Sequence, residues 1–446
     1  MGAAVVLGNF ISEMKFEKLP ASVIKAAKER LIDFIGVALL GNQLGAFKPL
    51  RDLLIEGGQP RGYTIIGEGK QASCLDATFV NSFMAHSTYY EDGARIAGGH
   101  PSSVVIPSAL GAAEKMGAGG RDLIEAIVAG YEIFVRIGKA GISQINRGFQ
   151  PTATVGTLAS AAAASKILRV GPKQIANSLE IAAPLGAGLL ISFKEPKSQP
   201  LQVGKACQTG LLAALLASRE MPGAEGALEE GFFRAFCSEE IRLDTIYDSL
   251  GREYMLPTTY LKIHGGCRHN HPSIDAVSKL ILEHGITPDQ VESINVKTYS
   301  VAISLQIINP QTPQEAMFNI PFSLALQLHL GNTHWESFNA ENLRSPAIRS
   351  LMNKIRLEAD SGMDTVFPEK RRAEAEIATI DGRKLTGSTE YPKGEPENPL
   401  TIDEIEQKFK RLSAGKIGRR RSEEIWNLIN QLEEIENVNS LLQRLY

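Results

Sequence analysis

The sequence contains little cysteine and no long basic run. Its 446 residues include four cysteines, none of them in a CxxC pair. A disulfide framework is therefore disfavoured, and we expect a protein of the reducing cytoplasm. The formal net charge is −3, which argues against partners such as nucleic acid or a membrane surface.

Long apolar stretches and cofactor fingerprints are also missing. The longest apolar runs, such as residues 153–165, fall short of the roughly 18 residues that span a bilayer. There is no P-loop, nucleophile elbow or dinucleotide-binding motif, because the glycine groups at 117–120 and 186–188 do not follow a predicted strand. The sequence therefore predicts no cofactor and no membrane segment.

The chain is too long for one ordinary core, so two domains are expected. Most of it shows apolar residues at helical spacing and is rich in small residues. Strand-like patterns occur at residues 62–66, at 291–300 and in a hairpin at 371–391 with Asp381-Gly382 as its turn. We therefore predict a mainly α fold. Residues 1–257 and 393–446 would form a large all-helical domain to which the C-terminal helices return, and residues 258–392 a smaller α+β domain.

Five of the eight histidines lie in two short segments. Residues 86–101 read HSTYYEDGARIAGGHP, and residues 262–275 read KIHGGCRHNHPSID. Histidine and lysine transfer protons near neutral pH, and arginine binds carboxylates with paired hydrogen bonds. We expect the two segments to meet in one cleft and to perform acid–base chemistry on a small carboxylate.

The segment 262–275 allows three interpretations. Four of its residues are of zinc-ligand type: His264, Cys267, His269 and His271. Four ligands within eight residues is tight spacing for one ion, so we predict no metal. A second interpretation is that the histidines hydrogen-bond and hold a turn. The favoured one is a catalytic loop, with Lys262 as base or carboxylate clamp, Arg268 as bidentate clamp and a histidine as proton shuttle.

The segment 86–101 offers a histidine and two acids. His100 follows three small residues and precedes a proline, which favours a site over a place in a helical core. Glu91 and Asp92 are candidate bases, and an equally simple interpretation is that they cap a helix or bridge to Arg95.

Several stretches, in one order over most of the chain, resemble the MmgE/PrpD family. They are residues 81–93, 98–138, 148–168, 261–277 and 395–412. The activities of this family include 2-methylcitrate dehydration, cis-aconitate decarboxylation and iminodisuccinate epimerisation. The resemblance implies a large helical domain, a smaller α+β lid domain, a homodimer and an enzyme that needs no metal.

The resemblance also implies roles for individual residues. His100 and Lys262 fall on proton-transfer positions, and Asp92 would orient His100. The implied substrate-binding residues are Arg268, His269, Glu91, His271 and Gln199.

The chain departs from the family pattern at several of these places. Tyr89 stands where a first Asp is usual, and Gly93 or Ala94 where decarboxylase-like members have Thr. Gln199 and Gln202 replace the Lys and His of a Lys-Pro-Leu-His segment. Because a tricarboxylate needs several cations, we expect a substrate with fewer carboxylates than methylcitrate. These departures weaken the hypothesis of a decarboxylase more than the hypotheses of a dehydratase or an epimerase.

The functional hypothesis is a dehydratase-like hydro-lyase. It would abstract a proton next to a carboxylate, without a metal, and a small hydroxy-carboxylate would lose water. One alternative is an epimerase of an amino or imino dicarboxylate, and another is a cis-aconitate-type decarboxylase. An alternative of a different class is a catalytically silent, metabolite-binding dimer, which the glutamines at 199 and 202 suggest.

Overall fold

The structure is a computed structural model that describes residues 2–45, 47–55, 62–237 and 241–446. The chain folds as two compact units. The first comprises Met1–Tyr260 and Thr401–Tyr446, and the second comprises Leu261–Leu400. Helices dominate the described residues and strands are few, which confirms the predicted mainly α fold. The C-terminal segment belongs to the first unit, as predicted.

The N-terminal part of the first unit is built from eleven described α-helices, several short 3₁₀ or π-helical segments and a two-stranded antiparallel sheet. The helices are α1 (Ala3–Glu13), α2 (Ala21–Leu44), α3 (Lys48–Ile55), α4 (Cys74–His86), α5 (Ser102–Met116), α6 (Gly120–Ala140), α7 (Pro151–Ile167), α8 (Pro172–Ala182), α9 (Pro200–Ala217), α10 (Arg234–Phe236) and α11 (Asp244–Tyr247). The strands are β1 (Tyr63–Ile65), where the sequence predicts a strand, and β2 (Gly69–Ala72).

Helix α7 is the centre of this unit and is buried along its whole length. It packs against α5, α6 and α9. Small residues make this close packing feasible. A Cβ atom at Gly210 of α9, for example, would lie 2.3 Å from the carbonyl oxygen of Thr157 in α7. The alanine-rich and glycine-rich composition of this region therefore serves helix-to-helix contact.

The second unit combines seven helices with a four-stranded sheet in the order β4-β3-β5-β6. The helices are α12 (His271–His284), α13 (Ser300–Ser304), α14 (Pro313–Ala316), α15 (Ile320–Leu330), α16 (Ala340–Arg344), α17 (Pro346–Met352) and α18 (Ser361–Asp364). The strands are β3 (Val291–Thr298), β4 (Ile355–Ala359), β5 (Ala373–Thr379) and β6 (Lys384–Thr389).

Strand β3 pairs in parallel with β4 and antiparallel with β5. Strands β5 and β6 form the predicted hairpin, and Gly382 in its turn has a φ of 87°, which favours glycine. The side chains of β5 alternate in burial, and α12 packs on β5 and β6. This alternation is the pattern of a sheet with one covered face.

The C-terminal helices of the first unit are α19 (Ile402–Ile417), α20 (Arg419–Asn430) and α21 (Asn439–Leu442). Helix α19 packs on α2. Lys408 of α19 forms a buried ion pair with Asp33 of α2 at 2.5 Å.

Among the described residues, no single helix has both the length and the apolar character needed to cross a membrane. One pair, Ala21–Leu44 with Lys48–Leu54, passes the length and composition test together but is bent by 93°.

Candidate active site

The acidic and histidine-containing loop of the first unit connects two helices. Helix α4 ends at His86, and α5 begins at Ser102. The loop turns sharply, with Tyr89 at φ 52° and Gly98 at φ 71°. A left-handed φ is uncommon for a residue such as tyrosine, so contacts elsewhere in the fold hold Tyr89 in place.

His100 is held by the backbone of its own loop. Its Nδ1 lies 2.6 Å from the carbonyl oxygen of Asp92. A carbonyl oxygen only accepts, so Nδ1 donates, and Nε2 of the neutral ring is then the nitrogen that can take a proton. The side chain of His100 is 22% exposed, whereas that of Glu91 is fully buried. His100 therefore has the orientation and access of an acid–base group.

The carboxylate of Asp92 anchors the loop. It accepts the backbone N–H of Ser102 at 3.0 Å and the hydroxyl of Tyr131 at 2.6 Å, and Arg30 lies 3.9 Å away. Burial raises the pKa of Asp92 to about 6, against the opposing effects of Arg30, Tyr131 and Ser102. His100 thus contacts the carbonyl of Asp92, whereas the carboxylate of Asp92 ties the loop to α5 and α6, and the orienting role of Asp92 stays a prediction.

Glu91 lies between two histidines. Its Oε1 is 2.8 Å from Nδ1 of His86 and 3.6 Å from Nδ1 of His100. The two imidazole rings are 5.6 Å apart. The carboxylate is therefore placed to balance a positive charge on either ring.

The buried side-chain amide of Gln199 contacts the other ring nitrogen of His86. Nε2 of Gln199 lies 3.1 Å from Nε2 of His86, and Oε1 of Gln199 accepts from the hydroxyl of Tyr89 at 3.4 Å. Tyr89 and Gln199 are two of the departures from the family pattern, and they are partners in the structure. We call the series Tyr89–Gln199–His86–Glu91–His100 the histidine chain.

His86 and Tyr89 have no catalytic or binding role predicted from the sequence. The available signal was their position just before the acids of the loop, at the end of a predicted helix. Gln202, another departure from the family pattern, lies outside the histidine chain. Its Nε2 bonds to Oε1 of Gln150, to the hydroxyl of Ser192 at 2.8 Å and to the carbonyl of Leu189 at 3.3 Å.

Two buried cations, Lys408 and Arg30, also contact the loop. Nζ of Lys408 reaches Asp33 and the carbonyl of Tyr90, and it lies 4.0 Å from the centre of the Tyr90 ring. Arg30 donates to the hydroxyl of Thr259 at 3.0 Å and to its carbonyl at 2.7 Å. The charges of both cations are thus engaged within the unit.

In the second unit, the guanidinium of Arg268 hydrogen-bonds to several residues of the same unit. Its guanidinium donates to Glu395 at 2.9 Å and 3.3 Å, to His271 at 2.8 Å, to the carbonyl of Lys393 at 3.0 Å and to that of Pro392 at 3.3 Å. These bonds account for its five N–H groups. To clamp a substrate carboxylate, as the sequence predicts, Arg268 would have to exchange some of them.

The histidines around Arg268 are also engaged. Burial and the nearby charge of Arg268 lower the pKa of His271 well below its usual value, so this ring is neutral and accepts from Arg268. His264 lies 2.6 Å from the hydroxyl of Thr333 and 2.8 Å from Asp275, which uses both ring nitrogens. His264 and His271 therefore match the second interpretation, in which histidines hold a turn.

His269 and Lys262 are the remaining predicted site residues of this segment. Nδ1 of His269 lies 2.7 Å from the hydroxyl of Tyr299, and its ring packs against those of Tyr299 and Phe367. Lys262 is 2% exposed.

Burial raises the pKa of the Cys267 thiol, which disfavours the thiolate. Within the described ranges, no three His, Cys, Asp or Glu side chains are grouped as metal ligands.

The two histidine-rich segments lie in different units, residues 86–101 in the first and residues 262–275 in the second. Their predicted meeting in one cleft stays a prediction.

The chain belongs to the MmgE/PrpD family. Residues 5–243 match the MmgE/PrpD N-terminal domain, and residues 264–434 match the MmgE/PrpD C-terminal domain. Among curated proteins, the chain is 27% identical to the cis-aconitate decarboxylase-like protein oryM of Aspergillus oryzae, over 98% of this chain and 95% of that protein.

Two further relatives are named cis-aconitate decarboxylases. The protein of Aspergillus terreus is 24% identical over 100% of this chain and 96% of its own length. That of Mus musculus is 26% identical over 98% of this chain and 92% of its own length. The similarity therefore spans both units.

Proposed function

We propose that this protein is a lyase in which His100 transfers a proton at a carbon next to a carboxylate of a small substrate. The observation that carries the proposal is the hydrogen bond from Nδ1 of His100 to the carbonyl of Asp92. It fixes the ring so that Nε2 exchanges the proton, and the carboxylate of Glu91 at 3.6 Å stabilises the imidazolium that forms. Proton transfer of this kind contributes about 10²- to 10⁴-fold to a rate.

Two net reactions are consistent with this step. In a dehydration, neutral His100 removes the proton from the carbon, the C–O bond of the neighbouring carbon breaks, and the imidazolium of His100 returns the proton to the leaving hydroxide, so that water is released. In a decarboxylation, a C–C bond breaks, CO₂ leaves, and protonated His100 delivers a proton to the carbanion. Both steps place His100 at the same carbon but start from opposite protonation states.

Different observations favour each reaction. The relatives named as cis-aconitate decarboxylases favour loss of CO₂. The neutral glutamines 199 and 202 favour a substrate with fewer carboxylates and the dehydration predicted from sequence. Lys262, Arg268 and His269 keep their predicted roles, in proton transfer and carboxylate binding, as parts of the same proposal.

The test is solvent deuterium incorporation measured by NMR. The panel contains small hydroxy-, amino- and unsaturated di- and tricarboxylates, including cis-aconitate. Wild type is compared with His100→Ala and Lys262→Ala, and with His284→Gln as a control at an exposed histidine of the second unit. We expect deuterium at the carbon next to a carboxylate with wild type and the control, and a loss of at least 100-fold with His100→Ala.

The products and the pH dependence separate the alternatives. Released CO₂ identifies a decarboxylase, a new olefinic signal without CO₂ identifies a dehydratase, and exchange with inversion identifies an epimerase. A decarboxylase should slow as pH rises through the titration of its proton donor, whereas a dehydratase should accelerate. Activity that survives dialysis against a chelator supports the metal-free mechanism. No exchange or turnover across the panel overturns the proposal and favours either a non-carboxylate substrate or the catalytically silent dimer.

A further inference from the structure

The histidine chain contains the buried side-chain amide of Gln199, which can determine the protonation state of His86. Gln199 immediately precedes α9 and has no solvent exposure. Its amide lies between the hydroxyl of Tyr89 and Nε2 of His86. A buried side-chain amide costs free energy unless its donors and acceptor are matched, so its orientation has consequences for both neighbours.

In the observed orientation the amide donates to His86. A ring nitrogen that accepts a hydrogen bond carries no proton, so the proton of neutral His86 sits on Nδ1. That nitrogen lies 2.8 Å from Oε1 of Glu91. The opposite amide orientation would make Nε2 a donor, and the carboxylate at Nδ1 would then require a doubly protonated His86.

The protonation state of His86 matters for His100, because both rings approach the same oxygen of Glu91. A positively charged His86 would neutralise the carboxylate and repel a second imidazolium, whose ring is 5.6 Å away. A neutral His86 leaves the negative charge of Glu91 to stabilise the charged form of His100. Other charges near Glu91 include Asp33 of α2 and Lys408 of α19, which pair with each other.

We propose that Gln199 is a positioning residue that fixes His86 in the tautomer with the proton on Nδ1, so that Glu91 keeps its charge for His100. The hydroxyl of Tyr89 lies 3.4 Å from Oε1 of Gln199 and also 3.4 Å from the carbonyl oxygen of Pro196, so its single proton is shared between two acceptors, and Tyr89 favours the observed amide orientation only when it donates to Gln199. The consequence for catalysis rests on the proposed function, whereas the tautomer of His86 does not.

The test reads the tautomer directly. Full-length protein labelled with ¹⁵N-histidine is studied by NMR, which distinguishes protonated from unprotonated ring nitrogens, and His86→Gln assigns the signals. In wild type at pH 7 we expect Nδ1 of His86 protonated and Nε2 unprotonated. In Gln199→Glu, an acceptor replaces the donor of nearly the same shape, and we expect both nitrogens protonated. A wild-type His86 with its proton on Nε2, or no change in Gln199→Glu, overturns the proposal.

Kinetics provide the second measurement. We expect Gln199→Glu to lower kcat/KM about tenfold at pH 7, to change the pH profile of kcat and to leave KM nearly unchanged, because it acts on the proton-transfer group. Gln443→Glu, at an exposed glutamine of the same unit, controls for added charge. Gln199→Met keeps the length but removes the donor to Nε2, so Nδ1 should stay protonated beside Glu91 while the ¹⁵N signal of Nε2 shifts because it loses its hydrogen bond.

These measurements fail in distinguishable ways. A protein without turnover on any substrate contradicts the proposed function, but the NMR signals of His86 still decide the role of Gln199. A shifted tautomer with an unchanged pH profile contradicts the link to His100 and leaves the proposed lyase intact. Thermal unfolding of each variant identifies a change that merely disrupts the fold.

Discussion

The two histidine-rich segments contain similar side chains in different arrangements. In residues 86–101, buried polar groups form a chain that ends at the partly exposed ring of His100. In residues 262–275, Arg268 directs its donors to neighbouring residues, and His264 uses both ring nitrogens internally. The comparison shows that the same residue types can be oriented in different ways, and that their hydrogen-bond partners distinguish the partly exposed ring of His100 from the internally bonded guanidinium of Arg268.

The largest expected effect concerns activity in the first segment. His100→Gln removes the nitrogen that exchanges the proton and should lower kcat about 10²- to 10⁴-fold, with little change in the thermal midpoint. The measurement is turnover of the substrate found in the panel, with His284→Gln as the exposed control. A variant that keeps wild-type activity would contradict the role of His100.

The second prediction concerns stability in the other segment. Arg268→Met leaves the buried carboxylate of Glu395 with a weaker partner, Arg371 at 3.4 Å, and should destabilise the protein by about 3 kcal/mol. Urea unfolding measures this loss. The double variant with Glu395→Gln should recover part of it, because the uncompensated charge is removed. An Arg268→Met variant as stable as wild type would show that the hydrogen bonds of Arg268 do not stabilise the fold.

The third prediction concerns pH. Burial raises the pKa of Asp92 from 3.8 to about 6, so the unfolded chain ionises first and wild type loses stability as pH rises through this range. Asp92→Asn does not titrate. Its free energy of unfolding relative to wild type should therefore increase by about 3 kcal/mol from below pH 4 to above pH 6.

Urea unfolding at several pH values tests this difference. The exposed Asp244→Asn serves as the control for the loss of an acidic side chain. A difference between Asp92→Asn and wild type that does not change with pH would mean that the Asp92 carboxyl is not held in its neutral form by the fold.

The smallest expected effect concerns the hydrogen bond between Tyr299 and His269. Tyr299→Phe removes it and should cost about 1 kcal/mol of stability, measured by urea unfolding. If His269 also binds substrate, as predicted from sequence, KM should rise because the ring loses its fixed orientation. A change in neither quantity would contradict both roles of this pair.

Much of the fold was predictable because its signals are local. Helical periodicity predicts the helical body, and alternation with an Asp-Gly turn predicts the hairpin formed by β5 and β6. The residue types of the candidate site were predictable for the same reason. The partners were not, since Gln199 and His86 are 113 positions apart and Arg268 and Glu395 are 127 apart.

The sequence by itself determined the family, the helical class and the supply of histidines, acids and glutamines. Only the tertiary structure decided which ring nitrogen of His100 donates, which glutamine contacts His86, and that Arg268 bonds to its own unit. The physical reason is that hydrogen bonds act over about 3 Å and depend on direction, so they are set by distant segments that packing brings together.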